Sequence, residues 1–122
     1  MMLSLYFVLT SVLLAGEKPK VMGTYPVNGA TAVDPHLTSI SVTFNQKMLD
    51  GSWSWVQKSK DTFPEMAGKP SYDKEQKTCT LPVKVKSGVK YIISVNAPQF
   101  KNFKNEKGVS ADPYIFSFTT SK

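Results

Sequence analysis

The apolar residues of this chain recur at every second position in short runs, and turn residues separate the runs. From Ser39 to Asn45, for example, isoleucine, valine and phenylalanine alternate with serine and threonine. A repeat of two residues is typical of a β-strand, in which successive side chains point to opposite faces. An amphipathic helix instead needs apolar residues at i, i+3, i+4 and i+7. The pattern predicts strands at Val21 to Tyr25, Ser39 to Asn45, Ser52 to Gln57, Ser71 to Asp73, Thr78 to Lys86, Tyr91 to Asn96 and Tyr114 to Thr120.

Seven short strands separated by turns predict an all-β fold, an immunoglobulin-like β-sandwich of about seven strands with Greek-key connections. One local pattern favours this fold. Val85-x-Ser87-Gly88-x-x-Tyr91 has the spacing of a tyrosine corner, with Val and Ser in the places where Leu and Pro are typical. In such a corner the tyrosine hydroxyl bonds to the backbone a few residues upstream. The alternative is that Tyr91 is an ordinary aromatic strand residue.

An uncharged and mostly apolar run extends from Leu3 to Gly16. It is shorter than the roughly 20 residues of a membrane-spanning helix and has the length of a secretory h-region. No lysine precedes the run, and leucine stands where a signal peptidase site prefers a small residue. We therefore predict a signal peptide or an N-terminal anchor at residues 1–16, followed by one domain at residues 20–120.

Composition and charge exclude several classes of function. The chain has 122 residues, room for one domain, and a net charge of +6 that comes from lysine alone, without any arginine. Nucleic-acid readers depend on arginine for bidentate contacts, so we predict no nucleic-acid partner. One cysteine and one histidine exclude an internal disulfide framework and a multi-histidine or multi-thiolate metal centre.

The residues that carry most catalytic chemistry are few and scattered. His36 lies in a loop that contains proline, and Cys79 shares a strand face with leucine and valine, which predicts an exposed imidazole and a buried thiol. The acidic residues of the polar middle stretch are Asp61, Glu65, Asp73 and Glu75. No apolar setting that would raise a carboxyl pKa for acid–base work is visible around them. We predict no enzymatic activity, no cofactor and no metal site, with a calcium ion near Asp50 or Asp112 as the open alternative.

Four motifs follow one another along the chain: Pro26-x-Asn28-Gly29-Ala30-Thr31-x-Val33-x-Pro35, Ile40-Ser41-Val42-Thr43-Phe44-Asn45-x-x-Met48, Gly88-x-x-Tyr91 and Phe116-Ser117-Phe118-Thr119-Thr120. This ordered set resembles the bacterial immunoglobulin-like domain named after the S-layer protein SbsA. The resemblance covers about residues 20–120. It implies a seven-stranded sandwich on a secreted or cell-surface protein, with roles in spacing, adhesion or presentation. It implies no catalytic residues.

Two tryptophans give the first candidate binding feature. Trp53 and Trp55 fall on one face of the predicted third strand, about 7 Å apart by the strand rise. If that face is exposed, the pair forms a flat aromatic platform of the kind that stacks on sugar rings. If both rings point inward, they belong to the core, where sandwich domains commonly bury a tryptophan on this strand.

The long loop from Ala97 to Pro113 gives the second feature. Two phenylalanines, Phe100 and Phe103, alternate with Lys101, Lys104 and Lys107. Loops at the end of a sandwich often carry contact surfaces. The alternative is a long hairpin whose two phenylalanines tuck under the edge of a sheet.

These observations favour a non-catalytic, secreted, periplasmic or cell-surface module with structural or protein-interaction roles. Its partner is a protein or a cell-envelope polymer, and a membrane enters only through an uncleaved N-terminal segment. One alternative is a carbohydrate-binding module that uses Trp53 and Trp55 on a polysaccharide. Another is an accessory or inhibitor domain for a secreted enzyme, acting through the loop from Ala97 to Pro113.

Overall fold

The structure, a computed structural model, describes residues 16–122. The predicted signal peptide or anchor at residues 1–16 lies outside the described residues except for Gly16. The described part of the chain contains nine strands, in chain order β1 Val21–Tyr25, β2 Ala30–Val33, β3 Ser39–Phe44, β4 Trp55–Gln57, β5 Glu65–Met66, β6 Ser71–Tyr72, β7 Thr78–Lys84, β8 Lys90–Val95 and β9 Tyr114–Thr120. A single turn of 3-10 helix, Lys60–Thr62, precedes β5.

The strands form two sheets that pack face to face, which confirms the predicted β-sandwich. One sheet has the order β1-β3-β7, with the short strands β5 and β6 both paired to the far side of β7. The other sheet has the order β2-β9-β8-β4. The core lies between them and takes alternate residues of the central strands, as the period of two predicts. Its strand members are Ile40, Val42, Phe44, Cys79, Leu81, Val83, Tyr91, Ile93, Val95, Phe116 and Phe118.

Three strands differ from the sequence prediction. β2 was not predicted; it pairs in parallel with β9, where Ala30 lies opposite Phe118. β5 lies within a polar stretch that showed no alternation, because two residues are too few to show a period. β4 begins at Trp55, three residues later than predicted, and this later start changes the environment of both tryptophans.

Pro82 lies within β7, which has partners on both sides, although proline has no N–H group to donate to a neighbouring strand. The Val83 amide donates to the Thr38 carbonyl on the β3 side. Because the bonding direction alternates along an antiparallel strand, Pro82 faces the other side. On that side Pro82 lies in the gap between the residues paired with β6 and those paired with β5, so its lack of an N–H group removes no hydrogen bond between strands. The Pro82 carbonyl still accepts a hydrogen bond from Ala67.

Tyr91 is fixed at the start of β8 by its hydroxyl group. The Lys86 amide donates to the Tyr91 hydroxyl at 2.8 Å, and the ring packs 5.4 Å from Phe118 between the sheets. Gly88, with a φ of 68°, makes the turn between them. This is the upstream backbone contact that defines a tyrosine corner.

We expect Tyr91→Phe to lower the free energy of unfolding by about 1–2 kcal/mol, because the partly buried Lys86 amide loses its acceptor. Tyr25→Phe is the matched control, since the Tyr25 ring is 60% exposed. Urea denaturation followed by tryptophan fluorescence measures both. Equal stability of the two variants would show that the hydroxyl of Tyr91 has no role in holding the turn.

Candidate functional site

The loop between β8 and β9 is anchored by one buried residue, Asn96. Its backbone adopts a φ of 64°, and its side chain is fully buried. The amide nitrogen of that side chain donates to the carbonyls of Phe103 at 3.0 Å and Ala111 at 2.9 Å. Its oxygen accepts from the Phe103 amide at 2.9 Å. Three hydrogen bonds thus hold two distant parts of the loop against the end of β8.

A second asparagine, Asn105, organises the tip of the same loop. Its side-chain oxygen accepts from the amides of Lys107 and Val109, and its side-chain nitrogen donates to Gln46 at 2.9 Å. The loop is therefore a hydrogen-bonded structure with a defined surface.

The two phenylalanines of this loop have opposite environments. Phe103 is fully buried and packs 5.4 Å from Phe44, so its assignment to an interaction surface is corrected: it is a core residue. Phe100 is 55% exposed. Of the three predicted contact lysines, Lys101 and Lys107 are exposed and Lys104 is half-buried. In this loop, therefore, Phe100 and lysine side chains are accessible to a partner, and Phe103 is not.

Trp53 and Trp55 are both half-buried, and they do not form a flat exposed pair. The Trp55 ring meets buried Phe103 edge-on at 5.4 Å and 82°, and its buried indole nitrogen has no hydrogen-bond partner among residues 16–122. Trp53 packs instead against Tyr72 of β6, with 6.5 Å between ring centroids. Trp55 therefore packs against the core, while Trp53 lies where the edges of the two sheets approach each other.

The structure brings Trp53 and Phe100 together, although they belong to two separate features of the sequence. They line one open depression of about 310 Å³ at the edge of the sandwich. Its lining residues are Trp53, Ser54, Trp55, Val56, Met66, Pro70, Phe100 and Asn102. Met66, on β5, is 61% exposed and was missed by the sequence analysis, because a lone methionine in a polar stretch gives no signal.

A second depression of about 300 Å³ lies beside the first and shares Val56 and Phe100 with it. Its other lining residues are Gln57, Lys58, Ala97, Pro98 and Gln99. The two depressions follow β4 on either side of the Phe100 ring. We call them together the β4 groove. Apolar and aromatic side chains that converge on one depression with a few polar groups make the β4 groove a candidate contact site.

The titratable groups show no catalytic arrangement within the described residues. The ring of His36 is exposed and lies 3.0 Å from the Asp34 carboxylate. The pKa of Asp34 is lowered, chiefly because its carboxylate accepts a hydrogen bond from the His36 backbone amide. Residues 16–122 hold no group of three or more histidine, cysteine, aspartate or glutamate side chains placed to bind a metal ion. The two candidate calcium ligands are otherwise engaged, since Asp50 accepts from the Gly51 amide and Asp112 pairs with Lys18 at 3.0 Å.

Cys79 is fully buried in β7, and burial raises the pKa of its thiol to about 12. The unfolded thiol ionises near pH 8.5, so this contribution to stability is complete below that pH and is lost as the pH rises toward about 12. We expect wild type to lose about 2 kcal/mol more than Cys79→Ala between pH 8 and pH 10, from the linkage relation. Urea denaturation at the two pH values measures the difference. The same pH dependence in both proteins would contradict a buried neutral thiol.

Residues 16–122 include no helix that has both the length and the apolar character to span a membrane.

Comparisons with known proteins agree with this fold. A family model described as a bacterial Ig-like domain matches residues 15–120. Two solved structures of an S-layer protein are similar to the chain: rSbsC(31-844), and domains 1-6 of surface layer protein SbsC. Each has 20% sequence identity and a TM-score of 0.55, and each match covers 93% of this chain.

The chain spans 15% of the length of these S-layer chains, so the likeness shows the fold alone. No curated protein matches the chain. The family model, in contrast, extends over most of the sequence, including every strand of both sheets. The chain belongs to the bacterial Ig-like domain family.

Proposed function

We propose that this protein is a non-catalytic structural module of the bacterial cell surface or extracellular space, and that it contacts another protein through the β4 groove. Its similarity to S-layer protein domains supports a structural role outside the cell. The proposal assigns no cofactor and no reaction.

The observation that carries the proposal is the exposed apolar surface of the β4 groove. Met66 and Phe100 leave more than half of their surface in water, and Trp53 completes the apolar wall between them. Aromatic and methionine side chains are enriched in the central part of protein–protein interfaces. Because β5, the residues that lead into β4 and the hydrogen-bonded loop hold these three side chains, the surface is formed before any partner arrives. Preorganisation lowers the entropic cost of binding.

Site-specific cross-linking tests this proposal. Benzoylphenylalanine replaces Phe100 in the full chain, which is produced in its own bacterium and irradiated in intact cells. Position 22 is the matched control, because Met22 is 70% exposed on β1, an edge strand of the other sheet. We expect a discrete protein adduct from position 100 and none from position 22.

The identified partner then binds the purified protein, and Met66→Ser weakens that binding about tenfold, or about 1.4 kcal/mol, while Met22→Ser does not. Adducts of the same pattern from both positions, or no protein adduct at all, would overturn the proposal.

Carbohydrate binding is the second candidate function. It is favoured by the presence of two aromatic rings, Trp53 and Phe100, beside the exposed polar side chain of Asn102 in one depression. Retention on insoluble cell-wall polysaccharide distinguishes it: Trp53→Ala would abolish retention, while Met22→Ser would leave it unchanged. Equal retention of wild type and Trp53→Ala would remove this candidate.

A further inference from the structure

Within residues 16–122, β4 is an edge strand that pairs with β8 alone, and its outer side has no backbone partner there. Trp55, Val56 and Gln57 lie opposite Val95, Ser94 and Ile93. The same register places Ser54 opposite Asn96, and the Asn96 amide donates to the Ser54 carbonyl at 3.0 Å. Ser54 and Asn96 are thus a hydrogen-bonded pair. This pair fixes the direction of every backbone group along the strand.

The direction alternates with each residue in an antiparallel pair. Val56 therefore bonds to β8, whereas the N–H and C=O groups of Trp55 and Gln57 point away from it. The pairing of β8 with β9 agrees with this assignment. The Thr120 amide donates to the Val89 carbonyl, so the backbone groups of the odd-numbered residues of β8 point toward β9 and those of the even-numbered residues point toward β4. Among residues 16–122 no other backbone or side-chain group bonds to the outward groups of Trp55 and Gln57. They form a short row of free donors and acceptors along the β4 groove.

We propose that an extended segment of a partner protein adds to the sheet at β4 and pairs with Trp55 and Gln57. This inference rests on the proposed function and names the kind of partner that the β4 groove accepts. Free backbone groups at two-residue spacing match the backbone of another strand, and neither a sugar ring nor a lipid repeats donors and acceptors in that way.

The two depressions of the β4 groove match the side chains of such a strand. Successive side chains of an added strand point to opposite faces. One set enters the depression between Trp53 and Met66, and the other lies against Val56 and Phe100. Since both depressions are mainly apolar, the segment carries apolar residues on both faces next to β4.

The charges around the groove indicate an acidic segment. Lys58 lines the groove, and three more exposed lysines lie within two residues of a lining residue in the sequence: Lys60, Lys69 and Lys101. None of them is in an ion pair within residues 16–122, and the nearby acidic residues in sequence are Asp61 and Glu65. Lysines beside an edge strand oppose pairing with a second copy of the same strand. A net charge of +6 adds to that repulsion, so the occupant is a different, acidic chain.

A library of random ten-residue peptides displayed on phage, selected on the full-length protein, tests the inference. We expect the selected peptides to carry a net negative charge and apolar residues near their centre. On binding of a synthetic selected peptide, hydrogen exchange at the Trp55 and Gln57 amides slows at least tenfold. The exchange rate of the Met22 amide, on β1 of the other sheet, stays the same. A peptide that binds without slowing exchange at Trp55 and Gln57 contradicts strand addition.

Methylation of alternate peptide nitrogens supplies a second test that leaves the protein unchanged. A strand presents only one set of its amides to β4, so methylation of that set lowers affinity at least tenfold, and methylation of the other set does not. Gln57→Pro gives the reciprocal loss, because it deletes an outward N–H and keeps the pairing of Val56 with β8.

Equal affinity of both methylated peptides, or failure of the library to yield any binder, overturns the inference. A specific cross-link from position 100 in cells would then leave the proposed function standing, with contact by side chains alone. Loss of that cross-link as well would remove both proposals.

Discussion

Replacement of Asn96 by alanine is expected to lower the free energy of unfolding by about 3–5 kcal/mol. The variant leaves two backbone groups without a partner, the amide of Phe103 and the carbonyl of Ala111, while the Phe103 carbonyl keeps the Ala111 amide as a donor. Each unsatisfied group costs about 1–3 kcal/mol, offset in part where water can enter. The φ of 64° adds about 1 kcal/mol, because alanine lacks the short polar side chain that lets asparagine adopt the left-handed conformation at lower cost. A domain of this size has only about 5–15 kcal/mol of stability in total.

Two further variants separate the causes of that loss. Asn96→Gly removes the same hydrogen bonds and tolerates the positive φ, so it should be about 1 kcal/mol more stable than Asn96→Ala. Asn102→Ala, in the same loop but with an exposed side chain, should stay within about 0.5 kcal/mol of wild type. Urea denaturation monitored by tryptophan emission measures all three. A loss below 1 kcal/mol in Asn96→Ala would show that the loop does not depend on this anchor.

The alternation of apolar residues was sufficient to predict the sandwich because it is a local property. Ile40, Val42 and Phe44 are buried on one face of β3, and Phe116 and Phe118 on one face of β9, as the period of two requires. A slip of one residue would expose all of them, so burial specifies the register strongly. The strands with a long alternating pattern were therefore predicted correctly.

The β4 groove could not be predicted, since it depends on contacts between distant segments. Trp53, Met66 and Phe100 come from a strand entry, a two-residue strand and a loop. No local pattern places them together. Their approach follows from how β5 pairs with the end of β7 and how Asn96 folds the loop back. The sequence identified Trp53 and Phe100 as candidates only because aromatic residues are conspicuous in polar surroundings.

The hydrogen-bonded loop between β8 and β9 also determines which residues of the predicted contact surface are exposed. In the sequence Phe100 and Phe103 are equivalent, since each stands next to a lysine in the same loop. The Asn96 bonds to both backbone groups of Phe103 turn that ring inward. Phe100 comes three residues earlier, where its backbone pairs with Ala97 in a tight turn that directs the ring outward. Hydrogen bonds that the sequence does not reveal therefore place Phe103 in the core, where it stabilises the fold, and leave Phe100 exposed for binding.

This division gives opposite expectations for two matched substitutions. Phe103→Ala should cost about 3–5 kcal/mol of stability, because it leaves a cavity beside Phe44 and Trp55 in the core. Phe100→Ala should change stability by no more than about 0.5 kcal/mol, since the ring is 55% exposed. For affinity we expect the opposite ranking of the two positions. Phe100→Ala lowers the affinity for the partner or for a selected peptide about tenfold, while the fold stays intact. Urea denaturation and titration calorimetry measure the two quantities. Similar stability losses in both variants would mean that Phe100 belongs to the core, and the β4 groove would lose the residue that joins its two halves.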